Sequence, residues 1–262
     1  MKAGFSQCTV TSPREMCGEI KSLALDAADP RGIVAERFVI PDGTIEALKW
    51  LALVLMIVDH INKYFFAEQL PGVFPLGRIV MPVFGFVLVY NLSRPGALAR
   101  GVHSRVMRRL ALLGLISSPI VIALNGTVVD RHAWWPLNIL FTLLVVVALI
   151  TLLERGGLLR YVAAIVLFVV AGALVEYLWM GVLACLGAWG FCRTRSNVGL
   201  LAWFLGMLSL TVVNANAWAL TAIPLVWAAS KVTLRLPRSK WLFYLFYPAH
   251  LAVLLAVKEH AL

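Results

Sequence analysis

Charged side chains are scarce in this sequence. Only 14% of its 262 residues are Asp, Glu, Lys or Arg, and 61% are hydrophobic. A soluble domain carries roughly 25% charged and about 45–50% apolar residues, so this composition excludes a soluble globular enzyme and a disordered chain. Because about 20 apolar residues span a bilayer, we predict one integral membrane domain.

Cysteine pairs and soluble-enzyme signatures are also missing. The four cysteines include no CxxC pair, so they indicate neither a zinc site nor a disulfide framework. The sequence contains no GxSxG, no GxxxxGK[ST] and no HExxH motif. We therefore expect no metal, and the N-terminus predicts no cleavable signal peptide.

Basic residues outnumber acidic ones by 23 to 13. Residues 1–40 carry five of each, so the whole net charge of +10 falls on residues 41–262. A basic and strongly apolar chain indicates loops at the cytoplasmic face of a lipid bilayer, and no nucleic-acid partner is expected. We divide the chain into a cytoplasmic N-terminal tail, residues 1–43, and a membrane domain, residues 44–262.

Apolar periodicity predicts an all-α polytopic membrane protein with about nine transmembrane helices. Thr44 is the predicted N-cap of the first helix. Residues 196–230 contain no charged side chain, and as one helix they would be about 50 Å long. We split them at Asn214-Ala215-Asn216, with a re-entrant hairpin as the alternative. The predicted segments are 45–66, 73–94, 106–125, 135–153, 158–175, 177–192, 198–213, 217–230 and 240–258.

Basic residues alternate between the two sides of this predicted bundle. Connections on one side hold 13 of them, and the opposite connections with the C-terminus hold three. Since Lys and Arg are retained on the cytoplasmic side, the N-terminus is predicted to be cytoplasmic and the C-terminus outside. The 13 are Arg94, Arg100, Arg105, Arg108, Arg109, Arg155, Arg160, Arg193, Arg195, Lys231, Arg235, Arg238 and Lys240; the three are Lys63, Arg131 and Lys258.

Several polar residues fall inside apolar segments, where each is costly and therefore a functional candidate. His60 lies about 22 Å along the first predicted helix, in the outer half of the bilayer. The others lie at similar depth, so we expect one polar site formed by Asp59, His60, Asn62, Arg78, Asn138, Glu176 and His250. The alternatives are a neutralising Asp59–Arg78 ion pair, a structural His60 and an interfacial loop position for Glu176.

A second group of residues is the candidate site for a phosphate-bearing donor. Asn91 and Arg94 end the second helix just before Arg105, Arg108 and Arg109, and guanidinium groups bind phosphates well. The alternative is that these arginines only determine topology. His103, His132 and His260 are predicted to lie in loops or at the terminus, without a functional role.

The segment Leu51–Asn62, with the sequence LALVLMIVDHIN, resembles the signature first helix of the TraX family. Further matches follow in order over residues 50–255. They are Gly77-Arg78 with Phe84 downstream, Asn91-Leu92-Ser93-Arg94, Asn138-Ile139-Leu140-Phe141 and His250-Leu251-Ala252-Val253-Leu254. Residues 1–40 have no counterpart in the family pattern, and the fifth to seventh helices match it poorly.

The family comprises membrane proteins that acetylate the pilin of F-type conjugative pili, and it resembles transmembrane acyltransferases that use acetyl-CoA. The resemblance implies transfer of acetyl from cytoplasmic acetyl-CoA, the co-substrate, to the N-terminal amine of a pilin subunit outside the bacterial inner membrane. His60 is then the general base, with Asp59 and His250 beside it. Arg78 and Asn138 donate to the oxyanion, Asn62 and Glu176 complete the acceptor site, and Asn91 and the four arginines bind the donor.

Three other functions remain open from the sequence. An O-acyltransferase acting on a periplasmic glycan or lipid would need the same base and donor groups. A non-enzymatic pilin assembly factor would not need His60. A transporter would use the polar residues as a relay, but residues 130–262 contain no second copy of the Asp59-His60 helix, which counts against an internal repeat.

Overall fold

The computed structural model describes residues 39–126, 134–239 and 242–261. Within these ranges the chain forms helices and their connections, without strands. Residues 1–38 of the predicted tail lie outside the described residues, as do Arg131, His132 and Lys240.

The described residues contain ten α-helices and one short 3-10 helix, and each of the nine predicted segments overlaps at least one of these helices. The all-α prediction is therefore confirmed. In chain order the elements are α1 (Asp42–Phe66), α2 (Phe74–Gly77), α3 (Val80–Leu92), α4 (Val102–Asn125), α5 (Ile139–Arg155), α6 (Leu158–Gly172), α7 (Leu178–Thr194), α8 (Asn197–Asn214), the 3-10 helix Trp218–Thr221, α9 (Ala222–Ala229) and α10 (Leu242–Ala261).

Several boundaries differ from the prediction, among them the start of α5, which is Ile139 instead of residue 135. Thr44 is not the N-cap of α1, because the helix begins at Asp42 with Pro41 in the N-cap position. The predicted helix 73–94 is interrupted at Arg78 and Ile79, since Pro82 has no N–H to donate to the carbonyl group four residues earlier. Helix α4 begins at Val102 instead of residue 106.

Four elements of the described part of the chain are long and apolar enough to cross a membrane. They are the α2–α3 unit Phe74–Leu92, helix α4, helix α8 and Leu242–His260 of α10. Helix α1 has 25 residues but includes acidic and basic side chains along its length, and α5, α6 and α7 have 17 residues or fewer. Length and composition therefore support four crossings directly.

Apolar side chains lie on the outside of the bundle as well as in its core. In helix α6 only Ala164 and Gly172 are buried, and Leu158 and Leu159 are 81% and 82% exposed. Exposed apolar surface on this scale is rare on soluble monomers and marks contact with a membrane or a partner. Together with the four long apolar helices, this surface fits a lipid environment.

The ends of the helices gather at two ends of the bundle. At one end Arg94, after α3, bonds to Asp42 at the start of α1. At the same end Arg193 of α7 lies 3.1 Å from Glu154 of α5. The 12 described members of the predicted cytoplasmic set lie in or beside connections here, so we call it the basic end. At the far end, Lys258 Nζ donates to the carbonyl oxygen of Leu124 over 2.9 Å.

Helices α7 and α8 form a hairpin in which the two backbones touch. A Cβ atom added to Gly187 would lie 2.6 Å from the carbonyl oxygen of Ala202, and one on Gly206 would lie 2.8 Å from the Cα of Ala184. Small residues allow this approach between membrane helices. Ser196, in the short connection, caps α8 by accepting from the N–H of Gly199 over 3.0 Å.

We expect Gly187→Val to lower the stability of the protein by about 1–3 kcal/mol, because an overpacked site with backbone on its far side cannot relax. Gly190→Val is the matched control, since a Cβ on Gly190 of the same helix meets nothing within 4 Å. Thermal unfolding of both variants in detergent tests this expectation. Equal midpoints for the two variants would contradict the close packing of α7 on α8.

Candidate functional site

Helices α1 and α10 lie side by side, run in the same direction and bring two histidines together. Trp50 of α1 packs edge-on against Phe243 of α10, with ring centroids 5.3 Å apart. Further from the basic end, His60 Nδ1 lies 2.7 Å from His250 Nε2. Two residues separated by 190 positions in the sequence therefore share a hydrogen bond.

The two imidazole rings meet edge to edge in nearly one plane. Their planes differ by 4° and their centroids are 5.0 Å apart. The 2.7 Å between the nitrogens makes up about half of that distance, and the radii of the two rings make up the rest. Phe246 lies parallel to the His250 ring at 5.1 Å, and Tyr247 contacts it edge-on at 5.5 Å. These aromatic contacts hold the His250 ring in place, and the edge-to-edge arrangement favours a well-aligned hydrogen bond.

Hydrogen-bond partners indicate where the protons of this pair reside. His250 Nδ1 lies 2.9 Å from the carbonyl oxygen of Phe246, which can only accept, so this nitrogen carries a proton. A neutral imidazole has one donor and one acceptor nitrogen, so His250 Nε2 accepts from the Nδ1–H of His60. The lone pair of a neutral His60 is thereby left on Nε2.

Asp59 lies on a different face of α1 from His60, since adjacent helix residues point about 100° apart. Its Oδ1 atom lies 3.8 Å from Arg78 Nη2, which is also 3.5 Å from Glu68 Oε1. Gly77 allows this contact, because a Cβ there would lie 1.7 Å from Asp59 Oδ1. The ion pair that the sequence left as an alternative for Asp59 is therefore present, and the group beside His60 is His250.

Glu176 lies in the connection between α6 and α7. Its backbone N–H donates to Leu137 over 2.9 Å, which fixes the connection between α6 and α7. Its carboxyl group interacts electrostatically with Asp59 and Arg78, and also with Tyr247, which packs against both histidines. Five of the seven predicted site residues therefore lie around one region of the bundle.

Asn138 follows Leu137, which bonds to Glu176, but the side-chain amide of Asn138 already has hydrogen-bond partners. The side-chain oxygen caps α5 by accepting from Leu140 N over 3.1 Å. The Nδ2 group donates to the carbonyl oxygen of Gly114 and to Ser118 Oγ, over 3.0 and 3.2 Å. Asn138 joins α5 to α4 and has no hydrogen left for an oxyanion.

The side-chain amide of Asn62, unlike that of Asn138, is only partly hydrogen-bonded. Its Oδ1 atom accepts from Leu70 N over 3.1 Å, whereas its buried Nδ2 has no hydrogen-bond partner among the described residues. The Nε atom of Arg78 is also buried without such a partner in the described part of the chain. Unsatisfied buried donors are uncommon in folded proteins, so these two N–H groups are candidates for binding a substrate.

The residues predicted to bind donor phosphates lie at the basic end, and several of them already have partners. Arg94 bonds to Asp42, which also interacts electrostatically with Arg238 and Lys49. Arg108 is exposed. The remaining contacts are Asn91 Nδ2 to the carbonyl oxygen of Val87 at 2.8 Å, Arg105 Nη1 to that of Arg100 at 2.7 Å, and the Arg109 guanidinium 5.2 Å from the Tyr244 ring.

Comparison with known proteins assigns the chain to a family. The model of the TraX protein family matches residues 44–258. The chain belongs to the TraX family. It is 31% identical over 225 residues to a Protein TraX of Escherichia coli, covering 81% of this chain and 86% of that protein. It is 28% identical over 229 residues to a Protein TraX of Escherichia coli (strain K12), with the same coverage.

The resemblance found from the first helix is thus confirmed at the level of the family. The TraX match includes both histidines, the ion pair and every candidate donor residue, and it begins after the predicted tail. No solved structure matches the fold of this TraX-family chain.

A buried polar network at the basic end is not predicted by the sequence. His103 is buried in the first turn of α4, with Nδ1 3.0 Å from Thr151 Oγ1 and Nε2 3.8 Å from Glu154 Oε2. Glu154 Oε1 in turn lies 3.1 Å from Arg193 Nη1 and 3.3 Å from Trp189 Nε1. The prediction that His103 lies in a loop is wrong, because α4 starts four residues earlier than its apolar pattern indicates.

Proposed function

We propose that this TraX-family protein is a membrane-embedded N-acetyltransferase. It moves an acetyl group from cytoplasmic acetyl-CoA to the N-terminal amine of a pilin subunit at the outer side of the bacterial inner membrane. The observation that carries this proposal is the His60–His250 pair, whose hydrogen bonds leave one acceptor nitrogen, His60 Nε2, available for a substrate proton. Membership of the TraX family supports the same activity.

The chemistry assigned to His60 is general base catalysis. The amine nitrogen attacks the thioester carbonyl carbon while His60 Nε2 takes its proton, and the proton passes to the thiolate as the C–S bond breaks. The hydrogen bond from His60 Nδ1–H to His250 stabilises the imidazolium ion between these steps. Such a base typically contributes about 10²–10⁴-fold in rate.

The acceptor side is assigned to the second group of residues. Asn62 Nδ2 and Arg78 Nε supply N–H groups for the oxyanion or for the acceptor's backbone. Asn138 is left out of this role because its amide is occupied by α4 and α5. Asp59 and Glu68 hold Arg78 in position, with carboxylate oxygens 3.8 and 3.5 Å from its Nη2 atom.

The proposed enzyme has nine membrane segments. Its basic end lies in the cytoplasm, because Lys and Arg are retained on that side. Asp42, at the basic end, precedes His60 by 18 residues of continuous helix, a distance of about 27 Å. The thioester therefore has to travel deep into the bundle while its nucleotide stays at the surface. The long pantetheine arm of the donor suits this geometry.

Reporter fusions test this topology. A fusion after Arg109 should report the cytoplasm and one after Leu262 the outer side, because the segments between them are odd in number. Each fusion protein is checked for full length in the membrane fraction. Reporters on the same side would remove the basis for placing the acceptor outside.

Charge reversal tests the donor assignment. We expect Arg105→Glu/Arg108→Glu to raise the apparent KM for acetyl-CoA in inverted vesicles by roughly tenfold or more, since two phosphate contacts become repulsive. Arg155→Glu/Arg160→Glu is the matched control, because both arginines are exposed at the same end. If both double variants keep the wild-type KM, the arginines at 105 and 108 act only in topology.

The function itself is tested with purified protein in vesicles, labelled acetyl-CoA and pilin. The expected product is pilin heavier by one acetyl group at its N-terminus. Label on a glycan or lipid with unmodified pilin would replace the proposal by the O-acyltransferase alternative. Pilin that assembles normally without any label would favour the assembly factor.

A further inference from the structure

The connection between α9 and α10 is an exposed segment at the basic end. Residues 231–239, which we call the strap, contain no helix, and residues 231–238 are all exposed. The rest of the described chain therefore leaves the outer surface of the strap open.

The strap is nevertheless held firmly against the first turn of α1. Thr44 Oγ1 donates to the carbonyl oxygen of Val232 over 2.7 Å and accepts from Leu234 N over 3.1 Å. The backbones come so close that a Cβ on Gly43 would lie 2.0 Å from the carbonyl oxygen of Leu234. The strap is therefore exposed although its backbone is fixed to α1.

Apolar residues recur at every second position of the strap. Val232, Leu234 and Leu236 are 47%, 43% and 42% exposed. Just before the strap, Trp227 at the end of α9 is 61% exposed. Tryptophan is enriched where a membrane meets water, and a row of exposed aliphatic side chains on a fixed backbone needs an apolar cover.

Basic residues are interleaved with these apolar ones. Lys231, Arg235 and Arg238 give the strap three positive charges. The ammonium group of Lys231 lies 5.6 Å from the centre of the Trp227 ring, so the cation and the aromatic side chain occupy one patch. This combination requires a partner with negative charge and apolar surface together.

We propose that the strap is a binding site for anionic phospholipids of the adjoining leaflet. The aliphatic side chains and Trp227 enter the boundary of the acyl chains, and the three cations contact headgroup phosphates. Free phosphate would satisfy the cations and leave the apolar side chains uncovered. An anionic lipid therefore matches both the cations and the apolar side chains.

Lipid on the strap acts on the helices that carry the histidines. The strap bonds to the first turn of α1, which carries His60, and residue 239 lies three positions before the start of α10, which carries His250. Anionic lipid should accordingly stabilise the pairing of these two helices. An increase in thermal stability with phosphatidylglycerol is the expected sign.

Native mass spectrometry of the full-length protein in detergent tests the proposal. The probes are phosphatidylglycerol and phosphatidylcholine with the same acyl chains. The wild type should retain phosphatidylglycerol in preference, and Lys231→Gln/Arg235→Gln should reduce that preference by roughly tenfold or more. Arg155→Gln/Arg160→Gln removes two exposed charges at the same end and should keep the preference.

Unfolding midpoints in both lipids separate binding from folding. The strap variant should match the wild type in phosphatidylcholine and lose the extra stability given by phosphatidylglycerol. Equal retention of the two lipids by the wild type would overturn the proposal. So would an undiminished preference in the strap variant, or an equal loss in the control variant, which would reduce the effect to general basic charge.

Discussion

Replacing His60 by Ala should give a protein that inserts normally and transfers acetyl groups about 10²–10⁴-fold more slowly. The variant removes the nitrogen that takes the substrate proton in the proposed mechanism, while α1 keeps its packing against α3 and α10. Initial rates in vesicles give the size of the loss. The intact mass of pilin, taken from cells with matched membrane levels of each variant, shows whether the loss holds in the cell.

Ile61→Ala is the control for the His60 variant, since Ile61 is the next residue of α1 and is 37% exposed. It should retain wild-type activity and a similar unfolding midpoint. Fully acetylated pilin in the His60→Ala strain would show that His60 is not the base. Unmodified pilin in the wild-type strain would instead remove pilin as the acceptor.

His250→Ala should lower the rate by about 10–100-fold, a cost typical for groups that orient a functional histidine. Without the acceptor at His250 Nε2, the proton of His60 is no longer confined to Nδ1, so part of the population presents an N–H to the amine. His250→Gln should recover part of the activity, because its side-chain oxygen can accept the same hydrogen bond.

The double variant His60→Ala/His250→Ala separates positioning from independent catalysis. If His250 acts through His60, the double variant should be no slower than His60→Ala alone. Losses that multiply would show that His250 contributes through another route. Unfolding midpoints of all four proteins keep a folding defect from being counted as a catalytic one.

Depth along a helix is readable from sequence, and some side chains that it places at a similar level lie close together in the fold. His60 and His250 lie at positions that periodicity and the turn signals place in the same half of the bilayer, and they are found 2.7 Å apart. Asp59 and Arg78 were grouped by the same reasoning and form an ion pair. The helical segments themselves follow from apolar runs long enough to need lipid or core around them.

Rotation about the helix axis could not be read in this way. Which face of α1 meets α10 depends on packing between segments far apart in the chain, and it decided that His250, not Asp59, bonds to His60. The same holds for Asn138, whose amide is turned towards α4. His103 was missed for a different reason, because the first turn of α4 is polar and lacks an apolar signal.

The pairing of α1 with α10 also fixes when the site can form. A protein is made from its N-terminus, so His60 is synthesised with the first helix of the described bundle. Its partner follows 190 residues later, in the last helix described. During synthesis His60 has no His250 to hold its proton on Nδ1, so a nascent chain carries an unoriented imidazole. If His60 is the base proposed above, activity therefore requires the completed bundle, and a chain that stops before α10 is expected to be inactive.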